Sequence, residues 1–323
     1  MAAREQARPM RLMELRSLNS AALERVLEEE CARWRAMLHW DFTPSAELVS
    51  RYVGMQALDG FALLDGDETV GYTYWVAEEH KGLVGDLYVR DAWRSPVNEN
   101  LLLGAALEQL RRSPWIQRVE AQLLQLGLRG QQVAAAGMRP RIYPRHFMLA
   151  QAKQPAGRRP VQLDPELRLE YWGSRWLDQS CELIAEVYRG HVDSEINDQY
   201  HTPAGARRFL QNIVHYPGCG HFSPASSLVA LDAAGRARGL VLSTMVSQQC
   251  GHIAQICISP ELQGRGIGYE LLRRGMESLR AEGAQEVSLT VTAANRHAIR
   301  LYERFGYQVV YQFEALVWER LWQ

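Results

Sequence analysis

A chain of 323 residues, 47% hydrophobic and 23% charged, suits two domains of about 150 residues with real apolar cores. Its formal net charge of −1 supplies no basic excess, which argues against nucleic-acid and membrane-surface partners. It has no apolar run of about 18 residues, and Met1–Pro9 lacks a signal-peptide core, so the sequence predicts a cytoplasmic protein without a membrane partner.

Residues 10–16 alternate as a strand does, and 21–38 carry apolar residues at helical spacing. A second short helix is expected over 46–55. Residues 60–64 and 69–76 flank Asp65-Gly66-Asp67 as the two arms of a hairpin. A strand over 83–89, a helix over 98–112, a strand over 119–124 and a short helix ending near Gly137 complete the first half. Lys153–Pro160 is polar, with two prolines and a glycine and no apolar period. The expected organisation is therefore a domain over 1–152, a linker over 153–162 and a second domain over 163–323.

The second half repeats the order: strand 167–172, helices 177–188 and 204–215, and hairpin strands 227–231 and 238–247 around Asp232-Ala233-Ala234-Gly235. At an offset of 169 residues Asp86 falls on Gln255, Leu102 and Leu103 on Leu271 and Leu272, Leu110 on Leu279 and Gly137 on Gly306, with a one-residue slip midway. The five cysteines (Cys31, Cys181, Cys219, Cys250, Cys257) are scattered and never in a Cys-x-x-Cys pair, so neither a disulfide framework nor a zinc site is expected. His215, Cys219 and His221 are read as flanking a Pro217–Gly220 turn rather than as metal ligands.

The apolar run Ile253–Ile258 leads into Gln263-Gly264-Arg265-Gly266-Ile267-Gly268 and then a helical pattern from Tyr269 to Leu279. Glycines at alternate positions remove side chains from a tight turn at a helix N-terminus, where free N–H groups favour an anion the size of a phosphate. A strand over 286–291 follows, then Asn295–Tyr307. From about 227 to 313 the chain resembles the acyl-CoA-binding half of the GNAT (GCN5-related N-acetyltransferase) superfamily. The resemblance rests on the Gln/Arg-x-x-Gly-x-Gly/Ala pattern at Gln263, Gly266 and Gly268, and on Asn295, Ala298, Leu301, Tyr302, Gly306 and Tyr307 downstream.

The resemblance implies an α/β fold of two tandem domains, each a mixed, mostly antiparallel sheet flanked by helices. The first reads as a degenerate copy, the alternative being an unrelated α/β domain: Ser95, Val97 and Glu99 stand in place of Gly264, Gly266 and Gly268, and Leu126 and Val133 replace Asn295 and Tyr302. Cβ atoms and a carboxylate there oppose a diphosphate by volume and charge, so that copy is not expected to bind CoA. In the second copy the resemblance implies that Ile256, Ile258, Gln263, Gly264, Arg265, Gly266, Ile267, Gly268, Asn295 and Tyr302 bind acetyl-CoA or another acyl-CoA, with no metal.

The implied reaction is direct attack of a primary amine on the thioester, with Tyr302 as general acid to the leaving thiolate. Tyr302 also reads as one apolar contact of a buried stripe with Ile299, Leu301 and Phe305, and Asn295 as the N-cap of that helix. The strand before the turn carries Gln255 and no carboxylate, so the base is open. His191, Asp193 and Glu195, in a loop over 189–201, are candidates for the base or for recognising a cationic acceptor. The same loop reads equally as solvated surface, and a water relay needs no dedicated base. Alternatives to an N-acetyltransferase are a non-catalytic CoA-binding sensor or interaction protein, and O-acylation or decarboxylation of an acyl-CoA. A monomer or homodimer is expected.

Overall fold

The computed structural model describes residues 9–133, 139–152 and 159–319. Two compact units emerge: unit 1 is Met1–Arg35, Phe42–Tyr143 and Phe313–Gln323, and unit 2 is Ala36–Asp41 and Pro144–Gln312. The division therefore falls between Tyr143 and Pro144 rather than at 153–162, and residues 153–158 of that polar stretch lie outside the described residues.

Unit 1 runs β1 (Arg11–Glu14), α1 (Glu24–Leu38), α2 (Thr43–Gly54), β2 (Gly60–Asp65), β3 (Glu68–Glu78), β4 (Lys81–Val89), α3 (Pro96–Arg112) and β5 (Arg118–Ala121). Its sheet is ordered β1-β2-β3-β4-β5, with only β4 and β5 parallel. Leu102, Leu103 and Leu107 of α3 are fully buried against Leu63, Val84 and Leu87 of the sheet, each worth about 2 kcal/mol of burial. Where a short helix is expected to end near Gly137, the described residues hold one 3-10 turn, Gly130–Gln132; Gly137 itself lies outside them.

Unit 2 takes β6 (Arg141–Gln151) from Pro144 onward, then β7 (Arg168–Tyr171), α4 (Leu177–Val187), α5 (Val192–Ile196), α6 (Pro203–His215), β8 (His221–Phe222), β9 (Leu228–Leu231), β10 (Ala237–Met245) and β11 (Cys250–Ile258). There follow α7 (Ile267–Ala281), β12 (Glu286–Thr292), α8 (Arg296–Arg304) and β13 (Gln308–Glu319). The sheet is ordered β6-β12-β11-β10-β9-β7, with β8 on the end of β10, and only β11 and β12 are parallel. One face packs on α7 and α8 through Leu271, Leu272, Met276 and Phe305. The other packs on α4 and α6 through Leu183, Ile184 and Leu210.

Neither β6 nor β13 is anticipated from sequence. β6 carries Pro144 within its span, which demotes a strand reading, yet Arg145–Gln151 pair with Thr292–Glu286 of β12. The end of β13 crosses back into unit 1, where Leu316–Glu319 pair with Ala121–Arg118 of β5. Each unit thus holds a strand from the other half of the sequence.

The offset of 169 recurs in the strand register. In unit 1 the parallel pairing of β4 and β5 starts at Lys81 and ends at Val84, and a one-residue bulge at Gly85 precedes Asp86. In unit 2 the pairing of β11 and β12 starts at Cys250 and ends at Ile253, and a one-residue bulge at Ala254 precedes Gln255. A bulge bends its strand and ends local pairing, so both central strands part from their parallel neighbour at matching places.

The helices that follow start differently. Ser95 caps α3, its hydroxyl accepting from the Asn98 N–H at 3.2 Å. Glu99, only 2% exposed, turns its carboxylate onto the Gly127 N–H at 2.9 Å, with an Arg94 guanidinium nitrogen 3.7 Å away. Burial raises the Glu99 pKa, opposed by the Gly127 N–H and by Arg94. Unit 1 thus spends its helix start and the space beside it on its own groups.

At the bulge of unit 1, Asp86 lies buried with Glu30 of α1. Tyr72 Oη is 2.8 Å from Glu30 Oε2 and 3.2 Å from Asp86 Oδ2, and Trp34 Nε1 donates to Glu30 Oε1 at 3.2 Å. One phenol proton cannot serve both carboxylates, so the pair holds a proton of its own. Burial first, then the Asp86 charge, pushes Glu30 well above the usual carboxylate range, and burial lifts Asp86 to about 6. Folded-state values above the unfolded ones mean that the native state holds more protons from about pH 4 upward. The pair's contribution therefore favours the fold at acid pH and is lost as pH rises through 6 and beyond. Glu30→Gln, which keeps the shape and removes the titration, is expected to raise Tm by a few degrees at pH 8 and hardly at pH 4.5, read by thermal melts. An equal effect at both pH values would contradict the shared proton.

Candidate functional site

β11 continues five residues past its last pair with β12 while still pairing with β10 up to Ile258. The edge it turns away from β10 beyond Ala254 therefore has no strand beside it. Pro260 stops the strand, and the Gln263 side chain folds back to donate from Nε2 to the Ile258 carbonyl at 3.2 Å. Gly264 and Gly266 then take left-handed φ angles of 78° and 80°, a conformation that glycine adopts without the Cβ penalty. Gly266 is the N-cap of α7 and offers no side chain to it. The first intrahelical bond is that of the Glu270 N–H to the Gly266 carbonyl at 3.0 Å, which leaves the N–H groups before it without intrahelical partners.

These groups open onto a cleft of about 610 Å³ in unit 2. Ile256, Ile258, Gln263, Gly264, Gly266, Gly268, Asn295, Tyr302 and His191 line it; Arg265, Ile267, Asp193 and Glu195 are not among its lining residues. A Cβ at Gly264 would meet nothing within 4 Å, whereas one at Gly266 would approach Val161 Cγ1 to 2.8 Å. Glycine at 266 is thus required by both angle and space. The donor set fits a diphosphate: main-chain N–H groups at a helix N-terminus, worth roughly half a positive charge.

The far wall is α8, capped by Asn295, whose Oδ1 accepts from the Ala298 N–H at 3.1 Å. Tyr302 is 6% exposed and packs edge-on to Tyr307 at 5.8 Å between centroids. Burial, with the Asp193 charge adding and Arg145 opposing, raises the phenol pKa, so Tyr302 stays protonated at neutral pH. Asn295 Nδ2 lies 3.4 Å from His191 Nε2. His191 Nδ1 lies 3.1 Å from the Asp193 N–H and 3.5 Å from Asp193 Oδ2. The Asp193 N–H donates to Nδ1, which caps the start of α5, so the neutral ring carries its proton on Nε2.

Asp193 is held in place: Thr292 Oγ1 donates to its Oδ1, and an Arg145 guanidinium nitrogen sits 3.8 Å from the same oxygen. Gln255, 5% exposed, donates from Nε2 to Tyr188 Oη at 2.8 Å and accepts from Tyr200 Oη at 3.4 Å. The two tyrosine rings stack at 4.3 Å. Glu195 is exposed on α5. His215 and Cys219 form no metal cluster with His221: no group of three such side chains suited to a metal occurs among the described residues.

Sequence reading missed Arg145, Tyr188 and Tyr200. Arg145 comes from a strand that the sequence does not announce. Tyr188 closes the expected helix and Tyr200 ends the expected loop, so each looks like an ordinary packing residue.

Residues 185–307 match the family model described as Acetyltransferase (GNAT) family. A mycothiol acetyltransferase of Propionibacterium freudenreichii subsp. shermanii is 28% identical over 153 residues, 46% of this chain and 46% of its own length. The chain thus spans less than half the length of that relative. A mycothiol acetyltransferase of Acidimicrobium ferrooxidans is 26% identical over 81% of this chain and 83% of its own. In fold, the chain is similar to a tandem GNAT protein from the clavulanic acid biosynthesis pathway, with a TM-score of 0.62 at 15% identity over 97% of this chain and 98% of that one. Over residues 185–307, the chain is thus similar to the acetyltransferase (GNAT) family.

Proposed function

We propose that unit 2 is an acyl-CoA-dependent N-acyltransferase, moving acetyl from acetyl-CoA to a primary amine by direct attack, and that unit 1 is a degenerate copy that does not bind CoA. One observation carries the reading: the uncapped start of α7, the open edge of β11 and a protonated, buried tyrosine share one cleft. In this reading the N–H groups from Gly264 to Tyr269 hold the diphosphate. The free edge of β11 pairs with the amide-rich pantetheine arm as an added strand.

The amine nitrogen forms a bond to the thioester carbon and the C–S bond breaks. Tyr302 gives its proton to the departing sulfur, and the amine releases one to solvent through a water relay. Gln255, tied to Tyr188 and Tyr200, offers no carboxylate and stiffens the bulge instead.

The test is release of free thiol from acetyl-CoA over a panel of primary amines. The panel should include the acceptor of the mycothiol acetyltransferases, on the strength of the two relatives. Turnover that depends on the amine is expected. Cofactor binding with no turnover on any amine would favour a non-catalytic sensor.

A further inference from the structure

Arg145 comes from β6, where its backbone pairs with Thr292 of β12, and its side chain is only 12% exposed. One guanidinium nitrogen donates to Thr290 Oγ1 at 3.3 Å and another sits 3.8 Å from Asp193 Oδ1. The third, Nε, is buried without a hydrogen-bond partner. A buried guanidinium with an unpaired donor costs the fold free energy that a neutral apolar side chain in this place would not.

Its partner is equally enclosed. Asp193, with 16% of its side chain exposed, also accepts from Thr292 Oγ1, and its N–H donates to His191 Nδ1 at 3.1 Å. The Thr292 carbonyl accepts from the Asn295 N–H at 2.9 Å, and Asn295 caps α8, the helix that carries Tyr302. The pair thus stands beside the start of α8, and neither member lines the cleft. Burial raises the Tyr302 phenol pKa most; the Asp193 charge adds to the rise and Arg145 opposes it.

The acid step makes that balance matter. As the Tyr302 O–H bond breaks and an S–H bond forms on the leaving sulfur, the electron pair stays on the phenol oxygen, which is negative until solvent returns a proton. Next to a carboxylate with no cation beside it, a second negative charge in a buried place is strongly disfavoured. We propose that Arg145 is a positioning residue for acyl transfer: it balances Asp193, so that charge can form on Tyr302. Arg145 acts through Asp193 and the phenol and touches neither cofactor nor acceptor. This rests on the acyl-transfer reading above, and the two can fail separately.

Thiol-release kinetics with acetyl-CoA and a primary amine that the wild type acetylates, paired with calorimetric titration with CoA, read the role. Arg145→Gln is expected to lower kcat about ten- to a hundredfold, within the effect of one nearby charge on an ionising group. The KM of the amine and the affinity for CoA should stay within about twofold. Arg145→Gln/Asp193→Asn, which removes both charges, should recover most of the rate. In a Tyr302→Phe background, adding Arg145→Gln should cost no further rate. Breaking a buried pair from one side can unfold a protein; if Arg145→Gln melts below the assay temperature, the folded double variant decides, with most of the wild-type kcat expected. A folded Arg145→Gln with unchanged kcat, a folded double variant slowed as much as Arg145→Gln is expected to be, or a further loss in the Tyr302→Phe background would each overturn the role and leave the acyl-transfer reading standing. Wild-type protein that binds CoA and acetylates no amine would overturn that reading, and the role with it.

Discussion

Tyr302→Phe is expected to lower turnover by about a hundred- to ten-thousandfold, the usual contribution of a positioned general acid. Affinity for CoA should hardly move. The ring stays the same size in a site where Tyr302 is almost fully buried, so packing against Tyr307 is kept and only the hydroxyl is lost. Because burial raises the phenol pKa, the acid form persists across neutral and mildly alkaline pH, and the deficit should be flat with pH in that range. Thiol-release kinetics paired with calorimetric binding separate the two effects. Turnover close to wild type would remove Tyr302 from the acid role and leave it as a core residue of α8.

Gly266→Glu is expected to abolish measurable CoA binding, a loss of a hundredfold or more. Three penalties coincide there. The left-handed φ of 80° costs an L-residue about 1–2 kcal/mol, the Cβ meets Val161 Cγ1 at 2.8 Å, and a carboxylate would stand where the diphosphate is placed. Gly264→Ala isolates the first penalty, since its Cβ meets nothing within 4 Å while its φ is 78°; an intermediate loss is expected. Ser95→Glu in unit 1 should leave CoA affinity unchanged. Equal loss from Gly266→Glu and Ser95→Glu, with both proteins folded by their melts, would contradict a single seat in unit 2.

What the sequence made readable follows from how local each signal is. The turn at Gly264–Gly268, the cap at Asn295 and the apolar stripe of α8 are contained within a few residues, so their spacing carries their geometry. The repeat was also readable, since an offset of 169 brings the two bulges onto each other, at Gly85 and Ala254. The exchange of strands was not, because it depends on partners far apart in the chain. Pro144 obscures β6, and although Gln308–Glu319 has the strand-forming residues of β13, nothing local directs its last residues to β5. Arg145 went unread for the same reason: its place near Asp193 and Thr290 exists only once β6 lies beside β12.

A crystal structure of the full chain soaked with CoA tests the central claim most directly. The account predicts one nucleotide per chain, its diphosphate on the main-chain N–H groups of Gly264–Tyr269 and its pantetheine along Gln255–Ile258. Density for the diphosphate at Ser95–Glu99 of unit 1, or for none in a chain that binds CoA in solution, would contradict it.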